Sequence, residues 1–121
     1  MPEAVWAYDF ACNLSLDAIQ TAFNAAGSWQ WRPVDSDGYG DCLVCRPEPY
    51  GGPGKYAKCT VHEYPGNGLF KLDGLGPLGG YKAQFEIGPQ SAITRLEIEV
   101  VFRRLLGAVQ AQSVTKVEPF F

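Results

Sequence analysis

The sequence predicts a mixed α+β fold: one antiparallel sheet of about five strands with two helices packed on one face, in the split βαβ order of ferredoxin-like domains. Three observations predict it. Residues 4–12 alternate as a strand does, residues 15–26 and 91–110 each carry one apolar stripe at helical spacing, and several short strand-like runs lie between those two stripes. At 121 residues the chain suits a single compact domain, 1–121. Its 46% hydrophobic content, with 3 Trp, 6 Tyr and 7 Phe, supplies a core large enough to fold without staples.

Each element has a local reason. Trp6, Tyr8 and Phe10 fall on one face of the first strand and Val5 and Ala7 on the other, and aromatic side chains favour sheets. Asn13 and Ser15 are N-cap residues for the helix that follows, with Leu16, Ile19, Phe23 and Ala26 as its apolar stripe and Gly27 as its stop. Residues 28–34 alternate again and set Trp29 and Trp31 on one face of a short strand. Residues 35–41 are dense in turn formers. Strands are expected at 41–46, before Pro47 and Pro49, and at 56–64, 69–73 and 81–87. A flexible connection at 50–54, a turn at 65–68 and the glycine-rich 74–80 separate them. Over 91–110, Leu96, Ile98, Val100 and Phe102 alternate, yet Thr94-Arg95-Leu96-Glu97 is a capping box and Ile98, Phe102, Leu105 and Val109 keep helical spacing. The length of the run decides for a helix. Residues 114–120 close the sheet as an edge strand, where Pro119 is tolerated.

Charge excludes two classes of partner. A net charge of −3 offers no electrostatic footprint for nucleic acid or an anionic membrane surface. The charge is uneven: residues 1–50 sum to −5, with Arg32 and Arg46 their only basic side chains, and residues 51–121 sum to +2. Met1-Pro2-Glu3-Ala4 shows no export signal and no apolar run is long enough to span a bilayer, so a cytoplasmic location is expected, with cysteines as thiols or metal ligands.

The most specific motif is Cys42-x2-Cys45 followed by Cys59-x2-His62, whose soft ligands and paired spacing resemble structural zinc sites. Zinc on Cys42, Cys45, Cys59 and His62 needs each pair on a tight knuckle. Both stretches are instead rich in β-formers without glycine, and on a strand positions i and i+3 point to opposite faces. No cofactor is therefore the first expectation and zinc the alternative. Asp35, Asp37 and Tyr39 begin like a calcium loop, but Tyr39 stands at the fifth position and Arg46 at the twelfth, where a bidentate glutamate belongs. Gly51–Lys55 lacks the first glycine and the Ser or Thr of a phosphate loop. His62 is the sole histidine, and its strand neighbour Glu63 faces the other way.

No intact catalytic motif emerges. The composition points to a non-enzymatic binding or regulatory domain that docks a protein partner through its sheet face or acidic loop, with Trp29, Trp31, Asp35, Asp37, Tyr39 and Asp41 as the expected contact residues. Two alternatives stand beside it: the zinc-stabilised domain, and a small-ligand-binding protein or enzyme with His62 in a pocket between sheet and helices.

Overall fold

The computed structural model describes residues 3–36, 40–63 and 79–117. Its elements are β1 (Ala4–Cys12), α1 (Leu16–Ala26), β2 (Arg32–Ser36), β3 (Gly40–Glu48), β4 (Ala57–Glu63), β5 (Gly79–Ile87), α2 (Arg95–Ala108) and β6 (Gln112–Val117). The six strands form one antiparallel sheet in the order β2-β3-β4-β5-β1-β6. No helix among the described residues is long and apolar enough to cross a membrane.

The mixed α+β character stands, but the ferredoxin-like arrangement of about five strands does not. That order places a two-stranded hairpin between the helices, whereas this chain has four strands there, β2 to β5. Neighbours in sequence pair here as neighbours in space, so β2–β5 run as a meander from the far edge back to β1. The crossover through α1 therefore spans three strands, and β1 is held between β5 and the last strand, β6. The expected turn at 65–68, the strand at 69–73 and Pro119 lie outside the described residues, as does the glycine-rich 74–80 except for Gly79 and Gly80, which open β5 instead of separating strands.

Both helices cover one face. α1 begins at Ser15, whose hydroxyl accepts a bond from Ala18 N at 3.2 Å, and α2 at Thr94, whose hydroxyl accepts one from Glu97 N at 3.2 Å. α1 buries Ile19 and Phe23; α2 buries Ile98, Phe102, Leu105 and Leu106. Phe102 is the hub. Its ring lies 4.7 Å from Phe85, 6.2 Å from Tyr8, 6.3 Å from Phe10 and 6.5 Å from Phe23, joining β5, β1, α1 and α2 in one contact. Gly27 ends α1 with extended backbone, φ −151°, so it is not the left-handed stop expected of a glycine there.

Two side-chain devices replace missing ladders. Trp31 was expected within a strand, but β2 begins one residue later. Asn24 on α1 instead takes its backbone, accepting from Trp31 N at 2.7 Å and donating to Trp31 O at 3.2 Å, and Gln20 donates to the same carbonyl. Glu48, at the end of β3, accepts bonds from Ala92 N at 2.6 Å and Ile93 N at 3.2 Å, fixing the segment that leads into α2. The Gly51–Lys55 segment closes as a hydrogen-bonded turn, Gly51 N to Lys55 O at 2.8 Å. Gly54 there has φ +76°, and its carbonyl sits where any Cβ on Gly88 would go, so neither position accepts a side chain.

Candidate functional site on the helix-free face

The strand register sorts the chemistry-bearing residues between two faces. On the helix face, Trp6, Phe85, Cys59 and Cys45 stand side by side across β1, β5, β4 and β3. On the opposite face, which neither helix covers, one row reads Asp9, Lys82, His62, Cys42 and Val34, and the next Ala7, Gln84, Thr60, Val44 and Arg32. Beyond them Lys58 stands beside Glu86, with Arg46 next along β3.

This register divides the Cys-x2-Cys and Cys-x2-His motif. Cys42 is paired with His62 on the helix-free face, and Cys45 with Cys59 on the helix face, so the four do not meet at a point. Among the described residues no group of three or more His, Cys, Asp or Glu side chains is placed to hold a metal ion. All four cysteines are buried thiols. Burial pushes Cys45 up to about 12, and burial with the facing Cys45 raises Cys59 well above its ordinary value.

The row through His62 is polar yet closed. Cys42, His62 and Lys82 are only 4–5% exposed. Burial, and then the neighbouring Lys82 charge, push His62 down to about 4, so at neutral pH an uncharged imidazole faces a thiol on one side and an ammonium group on the other. Such a trio has the groups for proton transfer, but a substrate must reach them. The exposure decides against that.

The accessible part of this face lies further along β2–β4. A groove of about 860 Å³ runs over it, walled by Trp29, Val34, Val44 and the prolines 33, 47 and 49, with the basic side chains of Arg32, Arg46 and Lys58 inside. No carboxylate among the described residues lines it. Each basic residue comes from a different strand, so only the register assembles them. Sequence reading missed all three, although Arg32 and Arg46 are the only basic residues of the first fifty.

The expected contact residues scatter. Trp31 is 1% exposed and packs on Phe23 at 5.2 Å, so it belongs to the core. Trp29 is half-buried, 6.3 Å from Trp31, and forms one wall of the groove. Their supposed shared strand face does not exist because residues 28–31 precede β2. Asp35 and Asp41 are paired positions at the closed end of the β2–β3 hairpin, and Asp37 and Tyr39 lie outside the described residues. His62 is not in the cavity beneath the helices, because it points from the other side of the sheet. No protein-family model, curated protein or solved structure matches this chain.

Proposed function

We propose that this chain is a non-enzymatic binding domain that docks an acidic segment of a protein partner in the groove of its helix-free face. One observation carries the reading: Arg32, Arg46 and Lys58 converge from three strands in a concave surface without a carboxylate among its described lining residues, beside the half-buried Trp29. Basic groups gathered in a groove with no carboxylate among its described lining residues attract an anion, and an aromatic wall adds contact area at low entropic cost. The acidic loop is thereby set aside as the contact in favour of the sheet face. A cytoplasmic setting goes with the reading, supported by four cysteines held as thiols even where Cys45 and Cys59 stand face to face.

The test is a fluorescence-anisotropy titration with a labelled peptide alternating glutamate and leucine, against its lysine–leucine counterpart. The acidic peptide is expected to bind at micromolar concentration, to weaken as salt is raised, and to lose at least about tenfold in affinity in an Arg46→Glu/Lys58→Glu variant. Equal binding of both peptides, or binding indifferent to the charge reversal, would overturn the assignment.

A further inference from the structure

A second concavity lies on the other face, independent of the groove. Between α2 and the sheet, close to β6, is a cavity of about 230 Å³. Protein cores are otherwise close-packed, and an apolar cavity of about 150 Å³ is already large enough for benzene. Its apolar wall is made by Phe85, Phe102 and Leu106, all nearly buried, and Val114 of β6 stands at the opening, 45% exposed. The volume suits one aromatic ring with a small substituent.

The polar groups decide which substituent. The Glu99 carboxylate is already engaged, accepting from the Tyr8 hydroxyl at 2.7 Å and from Arg95 Nε at 3.4 Å, with the Arg95 guanidinium laid over Trp6 at 4.6 Å. Arg103, one helical turn further along α2, also lines the cavity, is exposed, and forms no ion pair with a described residue. Lys116 of β6 stands opposite Tyr8 in the register and is likewise unneutralised among the described residues. The uncommitted charge at the opening is therefore positive, and a guanidinium offers a carboxylate two parallel bonds.

We infer that this cavity is a binding site for a small aromatic carboxylate, its ring against Phe85, Phe102 and Leu106 and its carboxylate on Arg103. Phenylacetate is the probe, with phenethylamine and phenylacetamide as its cationic and neutral counterparts, followed by amide chemical shifts in an NMR titration. Phenylacetate is expected to bind at millimolar concentration or tighter, shifting the amides around Tyr8, Phe102 and Leu106. Affinity should fall at least tenfold in Arg103→Glu, an exposed position that leaves the core intact, and binding should be lost in Val114→Trp, which plugs the opening. Three results would overturn the site: no localised shifts with phenylacetate, equal binding of the amine or the amide, or an Arg103→Glu variant that binds phenylacetate as before.

Discussion

Cys42 stands directly opposite His62 across β3 and β4, on the face that carries neither helix, while Cys45 and Cys59, three residues away on the same two strands, oppose each other on the covered face. An odd spacing on a pleated strand sends its two ends to opposite sides. What reads along the chain as one tetrad is, in space, two cross-strand pairs with the sheet between them.

Metal should therefore be dispensable. Protein purified without chelator is expected to carry no stoichiometric zinc by elemental analysis and to melt at the same temperature with or without EDTA. A melting temperature that drops on chelation would show that the four ligands meet after all.

Stability should depend on pH through His62. An unfolded histidine takes up its proton near 6.5 and this one near 4, so the unfolded state binds more protons between those values. The stabilising contribution of the neutral imidazole is present above pH 6.5, declines as pH falls through 6.5 toward 4, and amounts to up to about 3 kcal/mol. Urea unfolding at pH 7 and pH 5 should show a loss in the wild type that His62→Gln, facing the same Lys82 and Cys42, largely lacks. Parallel losses in both proteins would assign the effect to other groups.

Phe102 should be the costliest single truncation under α2. It is 2% exposed and touches aromatic rings on β1, β5 and α1. Phe102→Ala is expected to cost about 4 kcal/mol and Phe102→Leu about 1–2 kcal/mol in chemical denaturation. A cost below about 1 kcal/mol for the alanine variant would mean that α2 does not seat there.

The parts of the fold written in local periodicity were legible. β1 and α1 fall where alternation and the Ser15 cap put them, and the length of the 91–110 run correctly overrode the alternation of Leu96, Ile98, Val100 and Phe102, with Thr94 as the cap of the helix. The sheet order was not legible, because pairing β1 with β5 and β6 is a non-local choice that no short window contains. The tryptophans mislead for a related reason: side chains of α1 capture the Trp31 backbone, so the alternation around it belongs to no ladder. The groove needed the register itself. Arg32, Arg46 and Lys58 are unremarkable singly and become a surface only when three strands align.

The position of β1 also governs how the chain assembles. Ala4 bonds in register with Ile87, and Ala7 with Val117, so the earliest strand has both partners near the opposite end of the described chain. Each strand of the β2–β5 meander pairs with its neighbour in sequence, whereas β1 must wait, with the aromatic side of Trp6, Tyr8 and Phe10 uncovered until β5 and α2 arrive. Long closures of this kind slow folding, and during that interval the waiting aromatic strand is the segment most exposed to mispairing with another copy and to capture by chaperones.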